Sequence, residues 1–203
     1  MLETLQSIDA EILLWINGMH SPMADSAITL LTGRLIWLPL YIACFILMAR
    51  RFGWRRSLFF LIAMIAAVAV ADWITHDILK HSIARMRPSN PQNPLSASLH
   101  IVNDIRGGKY SFPSSHAVNS FTFIAMMGLL MRRRWIWAAL TAWGLLNCYT
   151  RLYLGVHYPS DIICGIAVGL AMGTCAYFAM THLAALDKNK WKRLIIRTAG
   201  RGK

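Results

Sequence analysis

Charged side chains are scarce in this 203-residue sequence: Asp, Glu, Lys and Arg together make up 15% of it, and only nine residues are acidic. Soluble domains contain about 25% charged residues, because their surfaces face water. Apolar residues reach 56%, whereas about 45–50% is usual in soluble domains. This balance argues against a soluble domain and predicts a protein embedded in a membrane.

The sequence also lacks the side-chain groupings that bind metal ions. Carboxylates do not cluster as they do in sites for Mg²⁺ or Zn²⁺. The four cysteines lie inside apolar stretches without metal-ligand spacing, so we interpret them as small core residues: Cys44, Cys148, Cys164 and Cys175. We therefore expect neither a metal ion nor another cofactor.

Five apolar stretches are candidates for transmembrane helices: 35–49, 58–79, 117–131, 135–154 and 162–180. A hydrocarbon core needs about 20 helical residues, so the first and third stretches must borrow residues from their flanks. Shorter helices are predicted at 8–19 and 24–32, and the sequence leaves open whether they span, half-insert or lie in the interface. The predicted fold is all-α: a polytopic membrane helix bundle with five clear transmembrane spans plus an N-terminal amphipathic or sixth helix, in one domain over residues 1–187.

Lysine and arginine concentrate in three segments that five crossings would place on one side of the membrane: 50–56, 132–134 and 188–203. These segments hold 14 of the 21 basic residues. By the positive-inside rule this side is the cytoplasm, and the basic tail at 188–203 is expected to lie there on anionic headgroups. The net charge of +12 is therefore a topology signal, and we do not expect nucleic-acid binding.

Three clusters of polar residues lie at the outer ends of the predicted spans. They are Lys80…Arg87-Pro88, Pro113-Ser114-Ser115-His116 and Thr150-Arg151…His157…Asp161. Each member alone has an ordinary structural interpretation: Lys80 can extend to the interface, Ser114 can cap a helix, and Asp161 can cap the next one. Coincidence does not explain why all three clusters lie on the same side, so we expect them to form one site.

Together these residues suit the chemistry of phosphate esters. Arginine forks and an ammonium group bind a multiply charged phosphate, and the free amides at the start of an apolar helix add to that attraction. Two histidines can supply a nucleophile and a proton donor. Asp161, four residues after His157, can accept the other imidazole N–H and select its tautomer. The pattern predicts cleavage of a phosphate ester through a phosphoenzyme.

The three clusters resemble the tripartite signature of the type 2 phosphatidic acid phosphatase superfamily: K-x6-R-P, then P-S-G-H, then S-R-x5-H-x3-D. The match spans residues 80–161 with the family's spacing inside each motif, and the apolar layout resembles the family's six-helix bundle. Two positions depart from the signature. Ser115 replaces a glycine, which adds a Cβ where backbone approaches phosphate, and Thr150 replaces a serine but keeps the hydroxyl.

The resemblance implies a role for each matching residue. His157 would attack phosphorus with Asp161 orienting it, and His116 would protonate the leaving oxygen. Lys80, Arg87 and Arg151 would hold the phosphoryl oxygens, helped by Ser114 and by the backbone amides around Ser115. Water would then hydrolyse the phosphohistidine without a metal.

Polar residues also occur inside the second predicted span. Asp72, His76 and Lys80 are four residues apart, so we expect them to share one helical face. They could position Lys80, or they could simply form hydrogen bonds between helices, and the sequence leaves both interpretations open.

The expected substrate is an amphiphile whose phosphate lies at the interface and whose tail stays in lipid. For a small bacterial member in the cytoplasmic (inner) membrane, with its site facing the periplasm or exterior, undecaprenyl diphosphate is the leading expectation. The alternatives are phosphatidylglycerophosphate, phosphatidic acid and lipid A 1-phosphate. Two other classes stay open: a lipid phosphotransferase, which could use the same residues, or a transporter-like protein that carries the lipid across. A catalytically dead scaffold would not need these residues intact. The substrate and the bilayer are the expected partners, and the sequence says nothing of protein partners.

Overall fold

The regular elements are helices throughout the part of the chain that the computed structural model describes, residues 2–33 and 35–186. They are α1 (Leu2–Asn17), α2 (Pro22–Thr32), α3 (Leu38–Phe52), α4 (Trp54–Trp73), α5 (Lys80–Ile83), α6 (Ser115–Met131), α7 (Arg134–Tyr153) and α8 (Pro159–Leu186). A π-helical turn, Ile74–Leu79, joins α4 to α5. The all-α prediction is confirmed, while the basic tail predicted at 188–203 lies outside the described residues.

Helix α6 forms the centre of the bundle and packs most extensively against α8. Three glycines of α8 at four-residue spacing, Gly165, Gly169 and Gly173, lie along this contact. A Cβ at Gly169 would lie 2.5 Å from the carbonyl oxygen of Val118 on α6, closer than any side chain allows. The glycine stripe lets the two backbones approach each other, which is the small-residue packing typical of membrane helices.

The remaining long helices surround α6. Helices α4 and α7 both contact α6, and α3 packs against α4. On α7, Gly144 leaves room for Ile124 of α6, since a Cβ there would lie 2.5 Å from the Ile124 Cδ1 atom. Edge-to-face rings of Trp37, Tyr41 and Trp143 fill the space between α3 and α7. These contacts fix how the ends of α6, α7 and α8 lie relative to one another.

The two ends of α6 differ in charge. At its C-terminal end, Arg51 Nη1 donates a 2.5 Å hydrogen bond to the carbonyl of Met131, so the arginine-rich segments 50–56 and 132–134 lie together. The helix begins at Ser115, about 25 Å away at 1.5 Å per residue. The three polar clusters therefore lie at the end of the bundle opposite to these arginines.

Helix α1 lies across this polar end of the bundle. Asp9 Oδ1 accepts a 2.9 Å hydrogen bond from the backbone N–H of Ser160 at the start of α8. Asn17, about 12 Å further along α1, donates a 2.7 Å hydrogen bond to the carbonyl of Tyr153 at the end of α7. Both contacts lie at the polar end, so α1 covers this end of the bundle; whether it spans, half-inserts or lies in the interface stays a prediction.

Two helical segments are long and apolar enough to cross a membrane: Trp54–Ile83 and Pro159–Leu183. Helix α6 is apolar but shorter. Large apolar side chains are exposed along the two long segments, as expected of a surface that faces lipid: Ile62, Ile65, Val70, Ile163 and Phe178. Five spans are thus not confirmed, and that number stays a prediction.

The π-helical turn changes the side of the helix on which Lys80 lies. The backbone N–H of Lys80 bonds to the carbonyl of Thr75, five residues earlier, so the four-residue periodicity from Asp72 is lost. Lys80 is buried whereas His76 is exposed, and Asp72 accepts a 2.7 Å hydrogen bond from Asn119 on α6. The prediction of a shared face is therefore wrong for His76, because the wider turn rotates Lys80 into the bundle, whereas Asp72 lies close enough to Lys80 for its charge to act on the ammonium.

Candidate active site

The three sequence motifs meet where α5, α6, α7 and α8 begin or end. The backbone N–H of Ser114 donates a 3.1 Å hydrogen bond to the carbonyl of Asp161, which joins the second motif to the third. Arg87 Nη1 lies 3.2 Å from His157 Nε2, which joins the first motif to the third. The structure thus brings the predicted site residues together at one end of the bundle.

His157 is 1% exposed in the turn between α7 and α8. Its Nδ1 lies 3.5 Å from Asp161 Oδ2, a distance at which the charges attract but a short hydrogen bond is not formed. Its Nε2 faces Arg87, and because a guanidinium only donates, Nε2 must be the accepting nitrogen. The ring proton therefore belongs on Nδ1, beside the carboxylate, and the free lone pair is on Nε2.

Burial controls the charge of this imidazole. It lowers the pKa of His157 to about 4, and the Asp161 carboxylate opposes the shift only in part, while Arg87 adds to it. An exposed histidine, with a pKa of about 6.5, is partly protonated at pH 7. His157 is almost entirely neutral at that pH, so one ring nitrogen keeps its lone pair. That is the state which a histidine nucleophile requires.

Asp161 is fully buried, and hydrogen bonds hold both of its oxygens. Oδ2 accepts from the backbone N–H of Tyr158 at 2.8 Å. Oδ1 accepts from Arg85 Nη1 at 2.8 Å, and Arg85 Nη2 in turn donates to Asp9 Oδ2 at 2.7 Å. The carboxylate is thereby fixed with Oδ2 on the side of His157.

Sequence analysis missed two members of this network, Arg85 and Asp9. Arg85 lies inside the variable stretch of the first motif, and Asp9 lies on α1, far from all three motifs. One signal was available: Asp9 repeats at four-residue spacing with Leu13 and Asn17, and all three are buried. An acidic residue on the inward face of a helix predicts a partner, but the spacing does not say which one.

Positive charge is in excess around His157. Lys80, Arg87 and Arg151 are all buried, and among the described residues none of the three forms an ion pair with a carboxylate. Arg87 donates to the carbonyls of Tyr110 (3.1 Å) and Val156 (3.2 Å). Unpaired buried cations are unfavourable unless an anion joins them, so this part of the site suits a phosphoryl group.

Two serine hydroxyls beside these cations have no partner. Ser114 and Ser115 both have buried Oγ atoms without a hydrogen bond, although Ser114 occupies the N-cap position of α6, where its hydroxyl could bond to the helix. A buried hydroxyl left unpaired costs about 1–3 kcal/mol. A bound anion would remove that cost by accepting from both hydroxyls and from the free amides of the first turn of α6.

His116 differs from His157 in its exposure. It lies in the first turn of α6 with an exposed side chain, close enough to Arg151 and His157 for their charges to act on it. The site therefore contains one buried histidine beside a carboxylate and one accessible histidine. This asymmetry suits one nucleophile and one proton donor that meets the departing group.

Two further residues support the cationic groups. The Thr150 hydroxyl donates to the carbonyl of Asn147 at 2.7 Å and accepts from Arg151 Nε at 3.1 Å. The threonine hydroxyl therefore orients the Arg151 guanidinium. Gly107 has a φ of +70°, and a Cβ there would lie 2.8 Å from Arg87 Nη1. Glycine at this position lets the loop close over the guanidinium.

No group of three or more His, Cys, Asp or Glu side chains within residues 2–33 and 35–186 is arranged to hold a metal ion. The four cysteines are free thiols. A metal-independent reaction and the catalytic roles of the site residues stay predictions.

Comparison with known proteins identifies the family. The model of the PAP2 superfamily matches residues 57–184, which is more than half of the chain. The chain therefore belongs to the PAP2 superfamily, and the resemblance carried by the three motifs is confirmed.

Several curated relatives are named phosphatases. A lipid A 4′-phosphatase of Bacteroides thetaiotaomicron is 39% identical over 185 residues, which are 91% of this chain and 82% of that protein. A lipid A 4′-phosphatase of Porphyromonas gingivalis is 30% identical over 87% of this chain and 74% of its own length. The putative undecaprenyl-diphosphatase YbjG of Escherichia coli is 30% identical over 69% of this chain and 67% of its own. The protein is accordingly an enzyme of the phosphatase class.

Two solved structures share the fold. The transmembrane PAP2-type phosphatidylglycerolphosphate phosphatase of Bacillus subtilis superposes with a TM-score of 0.61 at 21% identity, over 92% of this chain and 89% of that one. LpxE of Aquifex aeolicus superposes with a TM-score of 0.56 at 23% identity, over 82% of this chain and 92% of that one. The protein is thus a membrane helix bundle of the PAP2 fold.

Proposed function

We propose that this protein is a lipid A 4′-phosphatase, which removes the phosphate monoester at the 4′ position through a phosphohistidine. The observation that carries the proposal is the neutral, buried His157, whose Nε2 lies beside a group of unpaired cations and serine hydroxyls. The choice of lipid is supported by two relatives of that name, 39% and 30% identical, which align with most of this chain.

The reaction begins with attack of His157 Nε2 on phosphorus. A P–N bond forms as the P–O bond to the sugar breaks. Desolvation and the cations Arg151, Arg87 and Lys80 lower the pKa of His116, and the bound phosphate dianion offsets these cations, so His116 enters this step as the imidazolium. It gives its extra proton to the departing oxygen. The Nδ1–H group donates to Asp161, whose negative charge balances the positive charge that the imidazole acquires. In the second step His116, now neutral, takes a proton from water as the water oxygen attacks phosphorus. The P–N bond breaks, and inorganic phosphate leaves.

Lys80, Arg87 and Arg151 balance the charge that is spread over the phosphoryl oxygens in both steps. Catalysis of phosphoryl transfer consists mostly of positioning and electrostatic stabilisation, and three buried cations supply both. The hydroxyls of Ser114 and Ser115 add neutral donors. Because Ser115 stands where the family signature has glycine, its hydroxyl is a donor that this chain adds to the family's set.

The orientation that we infer follows from the arginines at the far end of α6. Segments 50–56 and 132–134 face the cytoplasm by the positive-inside rule, so the site faces the periplasm of a bacterial inner membrane. Lipid A in the outer leaflet of that membrane would present its phosphate at the depth of the site while its acyl chains stay in the hydrocarbon.

Undecaprenyl diphosphate, the leading expectation from the sequence, becomes the second candidate. It is favoured by YbjG and by an undecaprenyl-diphosphatase of Sulfolobus acidocaldarius, which is 28% identical over 66% of this chain and 58% of its own length. Both relatives align with less of the chain than the lipid A 4′-phosphatases do. The terminal phosphate of a diphosphate fits the same cations, so only measured turnover separates the two lipids.

The test compares lipids directly. Protein purified in detergent is given bisphosphorylated lipid A, undecaprenyl diphosphate, phosphatidylglycerophosphate or phosphatidic acid in EDTA, and phosphate release is measured. We expect the fastest release from lipid A, fragment mass spectra that locate the loss at the 4′ position, and no release by His157→Ala. Faster turnover of another lipid, or loss from the 1 position, would refute the substrate. Dependence on an added lipid acceptor would replace hydrolysis by phosphotransfer.

A further inference from the structure

A second charged network lies behind Asp161, on the side away from His157. Arg85 Nη1 donates to Asp161 Oδ1 (2.8 Å) and to the Ser160 hydroxyl (2.7 Å), while Nη2 donates to Asp9 Oδ2 (2.7 Å). Asp9 closes the network, because it accepts from both the backbone N–H and the hydroxyl of Ser160. The two carboxylates therefore share one guanidinium.

The surroundings hold Arg85 in this position. Its guanidinium carbon lies 3.9 Å from the centroid of the Tyr158 ring, a stacking distance at which cation–π attraction is effective. Its backbone carbonyl accepts a 2.8 Å hydrogen bond from the N–H of Ser111. The Asp161 side chain is fully buried and the Asp9 side chain is 10% exposed, so water screens this network far less than an ion pair on the surface.

Arg85 is not placed to bind phosphate. Both of its terminal nitrogens are directed at carboxylates and at Ser160, whereas the guanidinium beside the His157 Nε2 atom is that of Arg87. The effect of Arg85 on the reaction must therefore pass through Asp161.

We propose that Arg85 and Asp9 are positioning residues for the reaction at His157, an inference that rests on the proposed function. Arg85 holds the carboxylate of Asp161 with Oδ2 turned towards the Nδ1 atom of His157. Asp9 anchors Arg85 and offsets its charge, so that Asp161 keeps enough negative charge to stabilise the phosphorylated imidazole. Helix α1 thereby belongs to the working site, although it lies outside the matched family region, 57–184.

Asp9 is needed for an electrostatic reason. A guanidinium 2.8 Å from Asp161, without a second anion, would neutralise much of the attraction that this carboxylate exerts on the Nδ1 proton. A second carboxylate on the other nitrogen of the same guanidinium restores part of that attraction. Arg85 therefore orients Asp161, and Asp9 reduces the extent to which Arg85 weakens the attraction between Asp161 and the Nδ1 proton.

The experiment uses Arg85→Gln, the conservative Arg85→Lys, Asp9→Asn and the matched control Glu11→Gln, which removes an exposed carboxylate from the same helix. Phosphate release gives kcat and KM on the lipid that the wild type hydrolyses best, and thermal unfolding in the same detergent checks folding. We expect kcat of Arg85→Gln to fall about 10- to 100-fold, as for other residues that orient a functional histidine through its partner. KM should change little, Arg85→Lys should recover part of the loss, and Glu11→Gln should resemble the wild type.

The pH profile separates positioning from a merely structural role. The acid limb of kcat/KM reports the protonation of His157 in the free enzyme. The charged and titratable groups that face this imidazole are Asp161 from α8, Lys80 from α5, Arg87 from the loop, and His116 from α6. Removing the positive charge of Arg85 should raise the pKa of His157 and move the limb to higher pH. Removing the negative charge of Asp9 should move it to lower pH.

Opposite shifts of the acid limb, together with a loss in kcat, would support the proposal. Unchanged kcat and coincident pH profiles would overturn it, and so would a rise in KM alone, since Arg85 would then bind substrate. If Arg85→Gln does not unfold cooperatively, Arg85→Lys and Asp9→Asn decide by the same criteria. A wild type inert towards every lipid overturns both the function and this inference, whereas an active wild type with unaffected variants overturns this inference alone.

Discussion

Replacing Gly169 by alanine should slow the reaction without touching a site residue. The new Cβ would lie 2.5 Å from the Val118 carbonyl, while ordinary contacts begin near 3.4 Å, so α6 and α8 must separate by about 0.9 Å. Two turns away, the same helix pair makes the 3.1 Å hydrogen bond from Ser114 N to the carbonyl of Asp161. Since a misplacement of about 1 Å can cost about 100-fold, we expect kcat to fall about 10- to 100-fold.

Stability should fall as well. Overpacking costs about 1–3 kcal/mol, and the better helix propensity of alanine offsets up to about 1 kcal/mol of it. Phosphate release and thermal unfolding in one detergent measure both effects, with Ala167→Val on the exposed face of α8 as the control. A Gly169→Ala protein with wild-type kcat and wild-type thermal unfolding would refute the argument that the glycine stripe sets the position of Asp161.

Three further changes probe the site itself. Wild-type kcat/KM should hold its plateau down to about pH 5 and fall towards pH 4 as His157 gains a proton; an acid limb near pH 6.5 would contradict the effect of burial. Ser115→Gly removes an unpartnered hydroxyl, so inhibition by inorganic phosphate should weaken by about 10-fold, and unchanged inhibition would exclude that contact. Thr150→Val removes the acceptor of Arg151 Nε and should raise KM, whereas Thr150→Ser should not.

The residues of the three motifs could be recognised from the sequence because their spacing is local. Histidine and aspartate four residues apart, as in His157 and Asp161, are brought together by a single turn of chain whatever the rest of the fold does. Ser114 and Ser115 precede an apolar stretch, which places them at the start of a helix. The apolar runs also located the long helices, although the observed helices begin and end several residues away from the predicted bounds.

Other features depended on contacts between distant segments. The face predicted to hold Asp72, His76 and Lys80 does not include His76, because a π-helical turn intervenes, and no spacing rule announces such a turn. The substrate expectation moved from undecaprenyl diphosphate to lipid A only when whole-chain relatives were compared. The short motifs concern the phosphate group alone, so they do not specify the lipid that carries it.

The sequence by itself determined the class of the fold, the family and which motif residues to consider for a phosphate site, because each of these is written in composition or in short, fixed spacings. Only the tertiary structure decided that Asp9 and Asp161, the carboxylate beside His157, share the guanidinium of Arg85, which lies 76 residues from Asp9 along the chain. It also decided that α1 crosses the outer end of the bundle. The physical reason is the same for both: a charge pair between segments distant in the chain depends on how the helices that carry those segments pack, and packing is a property of the whole chain.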